Sequence, residues 1–279
     1  MEKCKNCQTD FSGNFCPMCG QKVFHEEDKS IKKIGVEIFH FFTNFDNSFF
    51  KSLFTVIKSP GQLTLDYCNG KQKRYFKPIS LFFVMVVLYL LFPIFSGLNT
   101  EMKYYKGTLI FGSTVKKELN NKLEKEQISF EELSQKFKSK SEFVSKVVLF
   151  SFIPISSIFI FFLFYKQKLM LYDNIILATE MNIFYLSALF FVFPILYLLI
   201  LNLISSLFSI SNENQNSDIH ISFISITIFV IYSSIIFQRV FQQKRWVSIL
   251  KGIGFAVLHT LFLISLYRFI VFKLVLLQL

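Results

Sequence analysis

The chain has 279 residues, 52% of them hydrophobic and 38 of them phenylalanine, with a net charge of +11 and a mean hydropathy of +0.46. A water-soluble domain of this length has no interior large enough for that much apolar side chain, and the apolar residues come in blocks too long for core helices. Soluble enzymes and soluble binding modules are thereby excluded. The expected class is an all-α polytopic membrane protein of about five transmembrane helices with a small N-terminal zinc ribbon.

The head comes first. Four of the five cysteines fall within the first nineteen residues, as Cys4-x2-Cys7 and Cys16-x2-Cys19. Each Cys-x-x-Cys turn aims two sulfurs at one point, and two such turns face to face make a thiolate tetrahedron with Zn–S near about 2.3 Å. Pro17 presets one backbone angle and Gly20 permits the tight turn. Lys3, Lys5 and Lys22 offset the charge of the tetrathiolate. Two disulfides would need an oxidising compartment, a redox pair would need a thioredoxin-like βαβ context, and a rubredoxin-type iron centre would need a larger aromatic-packed domain. With no histidine, aspartate or open position in the set, one structural Zn2+ per chain is expected over residues 1–24. So small a segment has almost no core, so metal binding supplies its folding energy. Cys68, in DYCNGK, is read as a bystander.

Residues 25–77 read as an amphipathic linker. In Ile31–Ile57 the apolar residues Ile34, Ile38, Phe41, Phe42, Phe45 and Phe49 recur at helical spacing, with lysines at the flanks, which suits helices lying on a membrane surface. The linker ends on a basic run, Lys71, Lys73, Arg74 and Lys77, directly ahead of the first long apolar block. Position alone suits retention on the cytoplasmic side and attraction to anionic lipid headgroups, at about 1 kcal/mol per base. A protein docking surface is the next reading, and nucleic acid is disfavoured because the head is near neutral.

Residues 78–279 form the membrane domain, with expected spans at 79–95, 147–165, 183–208, 219–237 and 253–277. The first apolar block starts too late to be a cleaved leader, so the N-terminus is expected on the side of synthesis. Residues 1–78 hold twelve Lys/Arg; the 4–5 loop has Arg239, Lys244, Arg245 and Lys251 with no acid; the 3–4 loop, SISNENQNSD, has no base. That pattern puts the N-terminus in the cytosol and the C-terminus outside. The long 1–2 loop, 98–146, then lies outside as a helical cap, supported by i,i+4 pairs such as Glu118–Lys122 and Glu132–Lys136. From Leu169 to Phe208 the chain is too long for one span, so an interfacial or re-entrant piece is expected near 169–181.

One ordered series stands out: Pro-Gly, a short helix, Asn-Gly, a basic run and Lys-Pro in SPGQLTLDYCNGKQKRYFKPISLFF. Together with CKNC…CPMCGQK it resembles an uncharacterised family of bacterial membrane proteins, a domain of unknown function whose members carry a zinc ribbon, a PG…GKR-type signature and several spans. The resemblance extends to YDNIILATEMNIFYL, where members tend to have a Glu-His pair and a further His. Here Asp173-Asn174 and Glu180 occupy those places, which speaks against a metal or catalytic site near span three. It extends again to IYSSIIFQRVFQQKRWVSILK. What the resemblance implies is an architecture in a bacterial cytoplasmic (inner) membrane, and no activity.

Polar residues in or near the spans, Glu180, Asn182, His259 and Arg268, are the candidates for an intramembrane site, because such groups are costly in lipid. Against them stands the reading that all four are interfacial or packed. Ser-His-Asp, His-Glu-x-x-His and P-loop patterns are absent and the four histidines are scattered. The expectation is a non-enzymatic scaffold or adaptor whose head binds a protein partner, with a transporter or channel subunit as the alternative and a membrane enzyme third.

Overall fold

The computed structural model describes residues 2–4, 8–20, 47–92, 101–107, 111–167, 170–193, 195–197, 199 and 217–279. The chain divides into two compact units, Met1–Asn47 and Ser48–Leu279. In the first, β1 (Glu2–Lys3) pairs antiparallel with β2 (Asp10–Phe11), Glu2 opposite Phe11 and Lys3 opposite Asp10. The expected surface helix over 31–46 lies outside the described residues.

The second unit is helical. α1 (Asn47–Lys58) buries Phe49, Ser52 and Val56 on one stripe and turns Phe50 and Phe54 outward. A Ser59-Pro60-Gly61 corner follows, with Gly61 at φ 81°, a left-handed conformation that suits glycine. α2 (Gln62–Cys68), an Asn69-Gly70 turn and a single 3-10 turn (Gln72–Arg74) lead to α3 (Pro78–Leu91). Pro78 opens that helix, where its missing N–H leaves no gap in the hydrogen bonding.

The cap comprises α4 (Met102–Tyr105), α5 (Gly112–Glu126) and α6 (Phe130–Val148). Ser129 caps α6 by accepting from the Glu132 N–H at 3.2 Å, with Glu131 and Glu132 in the positive first turn. α6 runs through a 3-10 turn (Leu149–Ser151) into α7 (Phe152–Leu163). Loop and span, expected to part near residue 146, are therefore one helix, Phe130–Leu163, of 34 residues. At 1.5 Å per residue it is about 51 Å long, against a hydrocarbon core of about 30 Å, so part of it stands clear of the membrane.

α8 (Leu171–Phe184) continues as a π-helical stretch, Tyr185–Val192. Residues 176–184 are buried without a break. A segment lying on the surface is one expectation for 169–181; Leu171 and Tyr172 at its start are exposed, whereas residues 176–184 are enclosed, with α2, α3 and α7 packed on α8. α9 (Ser217–Phe241) and α10 (Arg245–Leu261) form a hairpin, and α10 passes through a π-helical turn, Phe262–Tyr267, into α11 (Arg268–Gln278).

Three helices among the described residues are long and apolar enough to cross a membrane: Phe130–Leu163, Phe223–Phe241 and Arg245–Gln278. The count is three rather than the expected five. α3 is apolar but only 14 residues long, and residues 93–95 of the first expected span lie outside the described residues. Most of the second half of the expected span at 183–208 lies outside them too.

Two sets of contacts mark opposite ends of this unit. At one end α11 packs on α6, Lys273 pairs with Glu118, the Lys140 ammonium donates to the Gln278 carbonyl, and the Tyr267 hydroxyl donates to the Ser145 carbonyl at 2.7 Å. The expected Glu118–Lys122 pair is thus replaced, because α11 brings in a lysine from a helix with no acid of its own. Lys122 pairs with Glu126 at 2.7 Å instead, while Lys136 and Glu132 meet at 2.7 Å as expected. At the other end lie the Pro60-Gly61 corner, the first half of α8 and the α9–α10 turn.

Candidate functional site

In the head, two loops close alike. The Gln8 N–H donates to the Cys4 carbonyl at 2.9 Å, and the Gly20 N–H donates to the Cys16 carbonyl at 2.8 Å. Gln8 (φ 63°) and Gly20 (φ 73°) both take the left-handed conformation. The two turns bring Cys4 toward Cys16 and Cys19, and Phe11 is buried in one cluster with Cys4 and Cys16. The sulfurs of Cys4, Cys16 and Cys19 all lie within 4.8 Å of one another, and Cys4 and Cys19 are 3.5 Å apart. A disulfide needs about 2.05 Å, whereas a tetrahedral zinc tetrathiolate has sulfurs about 3.8 Å apart. The donor set and its spacing therefore fit a metal ion held by thiolates. Cys7, the fourth expected ligand, lies outside the described residues.

In the helical unit, the end of α2 is the point to explain. Gly61 occupies its N-cap and offers no side-chain oxygen to the first amides. Glu180 supplies it from α8. One carboxylate oxygen accepts from the Gly61 N–H at 2.8 Å, and the other accepts from the Thr64 N–H at 2.8 Å and from the Thr64 hydroxyl. From α9, Arg239 donates to the Pro60 carbonyl at 2.7 Å. The corner is thus gripped on its N–H side by an acid and on its carbonyl side by a base. A Cβ on Gly61 would stand 3.0 Å from Val240 and 3.1 Å from Ile236, so α9 also closes the corner sterically.

The basic run after α2 is fastened in a similar way. Buried Asp66 accepts from the Tyr75 hydroxyl at 2.7 Å and from Lys71 at 3.0 Å, with Arg74 at 3.9 Å. The Tyr75 hydrogen bond, with help from Lys71, holds the Asp66 carboxyl down to about 2. Lys71, Arg74 and Lys77 are exposed, and nothing is described of the Lys73 side chain. Cys68 is half-buried in α2, and burial together with Asp173 pushes its thiol up to about 12, so it stays protonated and unreactive.

The four polar candidates do not form one cluster. Asn182 donates to the Ala178 carbonyl at 2.7 Å and to Ser156 at 3.0 Å, which turns its oxygen toward His259 Nε2 at 3.2 Å. Nε2 therefore carries the proton and Nδ1 the lone pair, and Nδ1 finds no partner among the described residues. Phe152, Tyr185, Phe229 and Phe255 box the ring in. Glu180, two residues from Asn182, serves the Pro60-Gly61 corner instead. Arg268 lies beyond the π-helical turn, half-exposed, near Tyr105 of the cap.

Sequence reasoning overlooked Asp66, Thr64 and Gly252, and it read Arg239 only as a loop base, not as the partner of the Pro60 carbonyl. A Cβ on Gly252 would meet Ser234 backbone at 2.9 and 3.0 Å, so this glycine sets the α9–α10 distance. Its signal was readable: Ser248, Gly252 and Ala256 recur every fourth residue on α10, the small-residue spacing of closely packed membrane helices.

No curated protein and no solved structure matches the chain. Residues 46–90 match the family model described as "Protein of unknown function (DUF3667)". The match runs from the start of α1 almost to the end of α3, so it covers the gripped corner and the basic run. The chain is a mostly helical, membrane-embedded protein with a cysteine cluster suited to a metal, and part of its membrane unit is similar to a family of unknown function.

Proposed function

We propose that the chain is a non-enzymatic scaffold or adaptor of a bacterial cytoplasmic membrane. Its head is a zinc ribbon held by Cys4, Cys7, Cys16 and Cys19, and it recruits a protein partner. The observation that carries this is the thiol cluster: three sulfurs converge on one point, and the sequence places a fourth two residues before Thr9. A closed thiolate set holds a fold together and leaves no position for a substrate. Phe15 and Met18, exposed beside the cluster, give the head an apolar contact face.

Five spans, with the head in the cytosol and the C-terminus outside, accord with the two ends of the helical unit. The ties from Lys273 and Lys140 gather the C-terminus and the cap at one end, while Arg239 and Glu180 gather the 59–64 corner and the α9–α10 turn at the other. α3, α7, α8, α9 and α10–α11 then run alternately between them. The basic run from Lys71 to Lys77 meets anionic headgroups by charge.

The test is affinity capture of the full chain from native membranes, wild type against Cys16→Ser. Co-purifying proteins that depend on the intact head support the reading, and an identical set from both overturns it. The Asn182–His259 pair favours the second reading, a transporter or channel subunit, since a buried unsatisfied nitrogen in a bundle is a typical mark of a solute path. Uptake or flux abolished by His259→Phe, with capture unchanged, would select it.

A further inference from the structure

From Ile219 to Leu279 the sequence contains no aspartate or glutamate. Four bases nevertheless gather where α9 turns into α10. Two are spent inside the protein: Arg239 on the Pro60 carbonyl, and Lys251, whose ammonium sits 3.9 Å from the centre of the Phe164 ring. The other two, Lys244 and Arg245, are exposed. Among the described residues neither has a carboxylate in ion-pair range. Trp246 beside them is 79% exposed, as an aromatic at a membrane interface is.

A groove of about 410 Å³ opens at the same place, between α9 and α10. Its mouth is Arg245 and Gln238. Its walls are Val230, Ile231, Ser234 and Ile235 from α9 and Ile249 from α10. Ile231 and Ile235 are among the exposed large apolar residues, so the groove faces the surrounding lipid. From Gln238 back to Val230 is eight residues of helix, about 12 Å, which reaches from the interface well into one leaflet. A polar, positively charged mouth thus leads into an apolar trough aligned with the chains of a bilayer.

We propose that this groove is a binding site for one anionic diacyl phospholipid, with its phosphate on Lys244 and Arg245 and an acyl chain along Val230, Ile231 and Ile235. Charge complementarity selects the headgroup, because no acid in the segment neutralises the two bases. The trough selects a membrane lipid over a soluble phosphate, because its lining is mainly apolar and it runs along a helix apolar enough to cross a membrane. The site is separate from the basic run at 71–77, two of whose bases, Lys71 and Arg74, share Asp66.

Native mass spectrometry of the full chain in mild detergent tests this, with equal amounts of phosphatidylglycerol and phosphatidylcholine added. Retention of phosphatidylglycerol over phosphatidylcholine is expected, falling by about fivefold for each of Lys244→Gln and Arg245→Gln. Arg245→Lys should keep the preference, and Ile235→Trp, which fills the trough, should lower retention of the diacyl lipid. Neutralising Lys71, Arg74 and Lys77 should leave this adduct unchanged. The proposal fails if both lipids are retained equally, or if the two glutamine variants keep the preference. It also fails if soluble glycerophosphate displaces the adduct as well as the diacyl lipid does, or if neutralising 71–77 abolishes it. The side chains exchanged at 235, 244 and 245 are exposed, so the fold survives those variants, and neutralising Lys71 and Arg74 leaves Asp66 its hydrogen bond from Tyr75.

Discussion

Glu180 and Gly61 are separated by 119 residues in sequence and by 2.8 Å in the fold. A carboxylate from the buried centre of the bundle does the work that a serine or aspartate at the N-cap would ordinarily do for α2. Glu180→Gln keeps the size but replaces one accepting oxygen with an NH2 that faces N–H donors. Each buried donor left unsatisfied costs about 1–3 kcal/mol. The expected result is a lower melting temperature in detergent and faster proteolysis within residues 59–77, with the cap unaffected. A variant as stable and as protease-resistant as the wild type would show that the contact contributes nothing.

Gly252→Ala should be as damaging as a change deep in a soluble core. The added methyl meets the backbone of Ser234 as well as its movable hydroxyl, so α9 and α10 must separate even if the hydroxyl turns away, at about 1–3 kcal/mol. Ser234→Ala should not rescue it. Gly254→Ala is the control: its nearest neighbour would be the end of Leu163 at 3.7 Å, and thermal unfolding should scarcely move.

The metal can be counted directly. Elemental analysis of the purified chain should give one zinc per chain, strongly reduced in Cys16→Ser and unchanged in Cys68→Ser. Iron in its place, or no metal, would refute the zinc ribbon. Gln8→Gly removes a side chain from a left-handed position equivalent to the one Gly20 fills in the other loop, and should strengthen zinc retention against a chelator.

The order of events on acidification follows from Asp66. Its folded-state pKa of about 2 lies below the ordinary aspartate value, so the stability it contributes is present above about pH 4. That stability is lost as the pH falls through 4 toward 2. Hydrogen exchange of the 66–77 backbone should rise over that window in the wild type, with the rise much reduced in Asp66→Asn. Tyr75→Phe should shift the window upward, since the phenol is the main reason the carboxyl stays ionised.

What could be read from residues alone was what depends on local chemistry. Cys-x-x-Cys needs only two turns, and apolar blocks need only lipid. The Glu132–Lys136 pair was legible because both partners sit on one helical face. Glu118 was not, because its partner Lys273 arrives from α11, and no spacing rule spans 155 residues. Glu180 looked like a break in an apolar block and suggested a surface segment. Its actual partners are two backbone amides, which carry no sequence signature, and the Thr64 hydroxyl, 116 residues away. Gly252 belongs between these cases, since the period of four was visible but the close approach needed the α9 backbone.

The grip on the Pro60-Gly61 corner also imposes a schedule on biosynthesis. Synthesis proceeds at roughly 5–20 residues per second, so Gly61 is made about 6–24 s before Glu180 exists. Pro60 waits longer still, since Arg239 is 179 residues downstream. During that interval α2 has no cap and its basic run has only Asp66 and the membrane surface to hold it. A nascent chain stalled before residue 180 should therefore be open to protease at 59–64, and one stalled after residue 239 has emerged should be closed.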